Sequence, residues 1–346
     1  MQLITGIQQV GIGIPDVHTA KNWYRDHFGM TTKVFGDEAE AKLMTKYTGG
    51  IVHSRHAVLS LNMSGGGGME IWQYTSKVPV KPHAAPQFGD LGIYAVKMKS
   101  HNVTHAHKKF YKEAGPLYNY IGGGQHFWLN DPWGNRFEIV AGHDWFNEKK
   151  ILTTGGVYGV VIGVSDIDKA LKLYASVMGV NQIISDQSGV FKDIPDAEVS
   201  GENYRRVVIR KQARAVGAFS KLLGGIEIEL VQALDRKPNK IFEGRHWGDA
   251  GFIHLCFDVL NMKELRRKCE EHGFPFTVDS GDTFDMGESG GHFTYCEDPD
   301  GTLIEMVETH KVPVLKKLGW YINLKKRGTE KTLPDWMVRM LSLSKV

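Results

Sequence analysis

The sequence is poor in cysteine. Its 346 residues include three cysteines, Cys256, Cys269 and Cys296. Their spacing fits neither a zinc ribbon nor a redox motif, so a thiolate metal cage and a disulfide framework are both excluded. We therefore expect reduced thiols and a cytoplasmic protein.

Long apolar runs and a strong net charge are also missing. No segment approaches the roughly 18 apolar residues of a membrane-spanning helix, and the first residues do not resemble a secretion signal. The formal net charge of +3 is too small to indicate a nucleic-acid partner. With 42% apolar and 23% charged residues, the composition is that of a soluble globular protein. A chain of this length predicts two domains. We expect a small-molecule substrate, and neither a membrane nor a nucleic acid as partner.

One unit of sequence occurs four times. The first and third copies align without a gap, and so do the second and fourth, which open at Gly89 and Gly248. The first alignment superimposes five identical pairs, namely Val10 and Val160, Asp16 and Asp166, Ala20 and Ala170, Tyr24 and Tyr174, and Gly29 and Gly179. The second and fourth copies both close on an Asp-Pro-x-Gly turn, beginning at Asp131 and Asp298. Such repetition indicates a single supersecondary module.

Each copy has the same local pattern. An apolar strand leads to an Asp that can cap a helix, and apolar residues then recur at helical spacing. Three strand-like runs separated by turns follow, so each module is predicted to be βαβββ in an α+β fold. The four modules span residues 4–75, 89–141, 157–232 and 248–308.

We expect two domains, residues 1–142 and 151–310, followed by a C-terminal extension of residues 311–346. The segment LPDWMVRMLSL in this extension predicts a short amphipathic helix. The helix would pack on the outside of a domain or, alternatively, form a lid over the site.

The modules resemble those of the vicinal-oxygen-chelate superfamily, which includes glyoxalase I, methylmalonyl-CoA epimerase, bleomycin-resistance proteins and extradiol dioxygenases. The resemblance covers nearly all of residues 4–308. It implies two open-barrel, glyoxalase/dioxygenase-like domains. In that family, two modules curl around one divalent metal ion, and each supplies a residue of its first strand and a Glu of its last strand.

The resemblance also points to individual residues. The first-strand positions of the four modules are Gln9, Ala95, Gly159 and His254, and the last-strand positions are Glu70, Glu138, Glu229 and Glu305. If adjacent modules pair, the site consists of Glu229, His254 and Glu305. If module one pairs with module four, it consists of Gln9, Glu70, His254 and Glu305, which resembles the ligand set of glyoxalase I. The sequence leaves both pairings open.

The residues themselves favour the same positions. Glu70 and Glu305 each interrupt an apolar run, and His254 lies inside a strand that we expect to be buried. If these polar groups are buried, a metal ion would offset the cost of burying them. The alternative is that the strands are half-exposed and the carboxylates simply point to solvent. Carboxylate, amide and imidazole donors suit one divalent ion of Zn, Ni, Co, Mn or Fe(II).

The leading functional hypothesis is a metal-dependent lyase, isomerase or epimerase that works by enolisation, with Glu305 or Glu70 moving the proton. His292 and Tyr295 precede the Asp298 turn, where the resemblance to extradiol dioxygenases places catalytic groups. The alternatives are an extradiol or 2-oxo-acid-type Fe(II) dioxygenase and a non-catalytic binding protein of the bleomycin-resistance type. A homodimer is possible in each case.

Overall fold

The computed structural model describes residues 2–147, 153–195, 201–281, 284–285, 290–315 and 320–346. Module one contains β1 (Ile4–Gly13), β2 (Thr32–Glu40), β3 (Ser54–Leu61) and β4 (Gly68–Tyr74). Module two contains β5 (Gly92–Ser100), β6 (Tyr118–Asn119), β7 (Gln125–Asn130) and β8 (Arg136–Ala141). Module three contains β9 (Val157–Gly163), β10 (Gln182–Gly189), β11 (Tyr204–Lys211) and β12 (Ile226–Ala233). Module four contains β13 (Gly251–Val259), β14 (Val278–Asp279), β15 (Phe284–Asp285), β16 (Gly290–Glu297) and β17 (Leu303–Leu315), and β18 (Trp320–Asn323) follows.

The helices of the described ranges include the two that the capping residues Asp16 and Asp166 predict. The α-helices are Val17–Phe28, Val103–Lys109, Ile167–Leu171, Ser220–Leu223, Met262–Glu271, Leu324–Arg327 and Asp335–Met340. Asp16 accepts hydrogen bonds from the backbone N–H groups of His18 and Thr19, and Gly29 ends the first helix with a φ of 64°. The helix of module three continues as a π-helix over Lys172–Val177. The predicted α+β fold built from strand–helix–strand modules is confirmed.

The strands in the described ranges form two sheets that join modules from opposite halves of the chain. One sheet has the order β14-β16-β17-β13-β1-β4-β3-β2, with β15 and β18 added beside β16 and β17. The other has the order β10-β11-β12-β9-β5-β8-β7-β6. Module one therefore pairs with module four, and module two with module three. This is the crossed arrangement of the two that the sequence leaves open.

In the crossed arrangement, the two halves of the sequence do not correspond to the two sheets. β1 runs antiparallel to β13, and β5 runs antiparallel to β9. The segments 1–142 and 151–310 therefore each supply one module to each sheet, and neither segment forms a sheet of its own. β17 also continues to Leu315, beyond the predicted end of module four at residue 308.

Two equivalent hydrogen bonds join modules that are neighbours in sequence but lie in different sheets. The hydroxyl of Tyr24 in module one donates to Asp131 in the turn of module two, at 2.6 Å. The hydroxyl of Tyr174 in module three donates to Asp298 in the turn of module four, at 2.9 Å. Burial, together with the neighbouring carboxylate, raises the pKa of both tyrosines well above its usual value. The repeated Tyr and Asp residues of the sequence thus have a structural role in every module.

The C-terminal extension packs against both halves of the molecule. Its short helix Asp335–Met340 confirms the predicted amphipathic segment. Leu333 and Val338 of the extension are buried with Leu61 of β3 and Leu222. No helix in the described ranges is long and apolar enough to cross a membrane. The cytoplasmic location and the homodimer stay predictions.

Crossed pairing predicts the behaviour of half-chains. A fragment of residues 1–147 would leave β1 without β13 and β5 without β9, so it should not fold as a monomer. We expect no cooperative thermal transition by circular dichroism from this fragment at low concentration, and a restored transition after mixing with residues 153–346. A monomeric fragment that melts cooperatively would contradict the observed pairing.

Candidate metal centre

Four polar side chains converge on four neighbouring strands of the first sheet. In sheet order they are Glu305 on β17, His254 on β13, Gln9 on β1 and Glu70 on β4. His254 is fully buried, and 7% of Glu305 and 5% of Gln9 are exposed. The crossed pairing of modules is what brings these four positions together.

The distances define a compact cluster. Nε2 of His254 lies 3.2 Å from Oε2 of Glu70 and 3.1 Å from Oε2 of Glu305. Nε2 of Gln9 lies 3.4 Å from the same oxygen of each carboxylate. Ligand atoms of Glu70, His254 and Glu305 lie within 4.8 Å of one another.

The position of His254 depends on its neighbours. Gly11 on β1 stands opposite His254 in the ladder, and a Cβ at Gly11 would lie 2.4 Å from Cε1 of the imidazole. Gly11 therefore provides the space for the ring. The hydroxyl of Tyr295 lies 3.3 Å from Nδ1 of His254. This contact leaves Nε2 directed towards the carboxylates, in the way that outer partners orient metal-binding histidines.

The electrostatics of the cluster favour a cation. Burial lowers the pKa of His254, but the carboxylates of Glu305 and Glu70 outweigh it and raise this pKa to about 10. Two carboxylates thus face one imidazole. Oε1 of Gln9 is buried and has no hydrogen-bond partner among the described residues. An acceptor oxygen left unsatisfied in this way is costly. The donor set and this free oxygen both fit a divalent ion held by Gln9, Glu70, His254 and Glu305.

Of the other predicted site residues, the structure brings Tyr295 to the cluster and places His292 and Glu229 elsewhere. Tyr295 and His292 are three residues apart on β16, so their side chains leave opposite faces of the strand. Nε2 of His292 lies 2.6 Å from Oδ1 of Asp279. Glu229 is in the second sheet, where Lys97 and Arg206 bind it. The adjacent-pairing set of Glu229, His254 and Glu305 is therefore not assembled.

In the second sheet, a lysine ammonium group lies between the carboxylates, where the first sheet has the candidate metal site. Glu138 and Glu229, the counterparts of Glu305 and Glu70, come together there and are fully buried. Nζ of Lys97 lies 3.0 Å from Glu138, 2.7 Å from Glu229 and 3.0 Å from Glu227. Burial lowers the pKa of Lys97, but these three carboxylates raise it well above its usual value. An ammonium group therefore supplies the positive charge in the second sheet.

The first-strand positions of this sheet offer no ligand. Ala95 has no donor atom, and a Cβ at Gly159 would lie 1.9 Å from the carbonyl oxygen of Glu227, so any side chain at Gly159 would collide with backbone. Our sequence interpretation missed Lys97. The available signal was a lysine in the middle of the apolar strand GIYAVKMKS, where an unpaired charge would be very costly.

The carboxylates of the first sheet open onto a cavity of about 370 Å³. Gln9, Glu70, Glu305 and Tyr295 line one end of this cavity. His292 is not among the described residues that line it. The cluster is therefore accessible to a small molecule from one side, while His254 lies behind it.

The fold agrees with the comparisons to known families. Residues 6–139 and residues 159–295 each match a family model described as the glyoxalase/bleomycin resistance protein/dioxygenase superfamily. The chain belongs to this superfamily and has two of its domains. Comparison with curated protein sequences gives no match.

Solved structures show the same fold at low sequence identity. Glyoxalase I from Zea mays is 13% identical over 88% of this chain and 92% of its own, with a TM-score of 0.52. A proposed dioxygenase from Bacillus subtilis is 14% identical over 89% of this chain and 86% of its own, with a TM-score of 0.53. These likenesses support the fold alone.

The geometry predicts one metal ion per chain. The second sheet already holds Lys97 among its carboxylates, so elemental analysis of protein purified without chelator should give about one equivalent. His254→Ala should abolish metal binding because it removes the central donor, whereas His292→Ala, a matched histidine on β16, should retain it. Two equivalents per chain, or equal loss in both variants, would refute this assignment.

Proposed function

We propose that the protein is a metal-dependent enzyme that transfers a proton on a small, oxygen-bearing substrate, as a lyase, isomerase or epimerase of the glyoxalase type. One observation carries the proposal: four donor side chains meet on four adjacent strands, and two of them are carboxylates that face a cavity. The substrate would enter this cavity and approach the cluster from the side opposite His254.

Gln9, Glu70, His254 and Glu305 would hold one ion of Zn, Ni, Co, Mn or Fe(II). When bound, such an ion polarises a substrate oxygen and makes the neighbouring C–H group more acidic. The two carboxylates and the amide match this role because they are hard oxygen donors. His254 adds a borderline nitrogen donor, which Tyr295 orients through Nδ1.

Glu70 and Glu305 are the candidates for the base that moves the proton. Both line the cavity, so either carboxylate can come within hydrogen-bond reach of a substrate carbon. Their side chains are only 13% and 10% exposed. Restricted access of water means that few water molecules compete with the substrate for the proton.

The two alternatives have less support. A ring-cleaving dioxygenase needs two histidines and one carboxylate on Fe(II). His254 is the single histidine of the described cluster, and the ring of His292 is bound to Asp279. A binding protein without metal would leave the buried Oε1 of Gln9 without a hydrogen-bond partner among the described residues, whereas a metal ion would satisfy this oxygen.

Proton transfer can be tested by isotope exchange. A panel of 2-hydroxy ketones and 2-oxo acids in deuterium oxide should include a compound whose carbon-bound proton is replaced, as seen by proton NMR. Removing the base should slow exchange by about a hundredfold or more. We therefore expect slow exchange in Glu305→Gln or Glu70→Gln with metal retained.

Glu308→Gln is the matched control, because Glu308 lies on the same strand as Glu305 and contacts His310 instead. This variant should exchange at the wild-type rate. Unchanged exchange in both Glu305→Gln and Glu70→Gln, with metal still bound, would rule out the proposed base.

Oxygen chemistry can be tested separately. We predict that the Fe(II)-loaded protein consumes no oxygen with catechol above the rate of free Fe(II), because a second histidine is not in place. An oxygen electrode gives this measurement directly. Oxygen uptake that disappears in His292→Ala would overturn the prediction and favour the dioxygenase.

A further inference from the structure

The cavity beside the metal centre has two chemically different ends. Gln9, Glu70, Glu305 and Tyr295 form the polar end. The apolar end is formed by Leu61, Phe219, Leu222 and Leu341, which belong to one apolar cluster. A molecule that fills the cavity must therefore combine a short polar group with an apolar body.

The apolar end is built partly by segments outside the paired modules one and four. Phe219 and Leu222 belong to the chain before β12 of module three, and Leu341 belongs to the C-terminal extension. Leu222 and Leu341 are in one apolar cluster with Leu61 of β3. The apolar side chains of these segments cover part of the open face of the first sheet.

Backbone hydrogen bonds hold the extension in this position. The N–H of Leu333 donates to the carbonyl of Ala218 at 3.0 Å, and the N–H of Lys33 on β2 donates to the carbonyl of Ser344 at 2.9 Å. Leu341 lies between these two attachments. The extension is therefore held against β2, and Leu341 forms part of the cavity wall.

The cations at the cavity are already paired. Among the described lining residues they are Arg55 and Lys42. Nη1 of Arg55 lies 2.6 Å from Asp37, and Nζ of Lys42 lies 3.4 Å from Glu40. Arg55 is therefore neutralised by Asp37, and Lys42, whose side chain is 73% exposed, is a solvated surface residue that adds little charge to the interior of the cavity. A charged tail on the substrate would be desolvated here without compensation.

We propose that the substrate carries its oxygen-bearing group on an apolar body, aliphatic or aromatic, and that Leu341 of the C-terminal extension is a specificity-determining residue for that body. The oxygen-binding end of this proposal rests on the proposed function, whereas the apolar end rests on the cavity wall alone. An anionic tail does not match the apolar end of this cavity.

A series of n-alkyl hydroxamic acids tests the proposal, because each has the same pair of neighbouring oxygens and a tail of chosen length. Burial of one methylene contributes about 0.8 kcal/mol, or about a fourfold gain in affinity. Titration calorimetry with the Zn(II)-loaded protein should show affinity rising by at least about twofold per methylene from acetohydroxamate to octanohydroxamate. Affinity that does not depend on chain length would overturn the proposal.

Two leucines of the extension provide a matched pair of variants. Leu341 lines the cavity, whereas Leu343 in the same short 3₁₀ helix is 68% exposed. Leu341→Lys should weaken octanohydroxamate about tenfold by placing a charge in the apolar wall, and acetohydroxamate by less than about twofold. Leu343→Lys should change neither affinity. Equal effects of the two variants, or equal weakening of both hydroxamates, would exclude Leu341 from specificity.

Thermal unfolding of each variant shows whether it is folded. If Leu341→Lys does not fold, Leu341→Ala replaces it, and the expected loss for octanohydroxamate is then about threefold or more.

Metal-stripped protein separates this proposal from the proposed function. A chain-length dependence that persists while metal changes no affinity supports the apolar substrate and counts against the metal-dependent function. If affinity requires metal but does not depend on chain length, the proposed apolar substrate is wrong. The proposed metal centre is then still supported.

Discussion

The antiparallel ladder between β1 and β13 is the contact on which the candidate site depends. It joins a strand from the beginning of the chain to one about 250 residues later, with Gln9 opposite Cys256 and Gly11 opposite His254. Without this ladder, Gln9 and Glu70 would belong to a different sheet from His254 and Glu305. The glycine at position 11 is as important as the ligands themselves, because a side chain there would occupy the volume of the imidazole.

The two sheets neutralise their glutamate side chains in different ways. Each collects buried glutamates from the last strands of its two modules, and such carboxylates are stable only beside positive charge. In the second sheet the charge comes from within the chain, through Lys97, with Arg206 and Arg210 beside it. In the first sheet the position equivalent to Lys97 is Cys256, whose burial raises the pKa of its thiol. Because this thiol stays neutral, the positive charge beside these carboxylates comes from the imidazole of His254, whose pKa they raise, or from a bound cation that replaces its proton.

Much of the fold could be predicted from the sequence because repeats and caps are local signals. The repeated Asp16 and Asp166 mark helix starts, and the four last-strand glutamates mark equivalent positions. The pairing of modules could not be predicted, since an alignment shows which residues are equivalent and not which strands are neighbours. His292 was included because of the resemblance to extradiol dioxygenases, although strand alternation places it on the face opposite Tyr295. The part that Leu341 plays in the cavity wall depends on a contact some 280 residues away in sequence from Leu61, for which no local pattern exists.

The crossing of modules between sheets also bears on how such a chain could arise. Two copies of a half-length ancestor, each placing one module in either sheet, would form the same pair of barrels as a symmetric dimer. In that dimer every substitution appears twice, so a lysine that fills one site fills the other as well. Fusion of the two copies into one polypeptide removes this restriction. One barrel can then become a permanently neutralised scaffold, with Lys97 at its centre and Gly159 closed to any side chain, while the other remains open to metal and substrate.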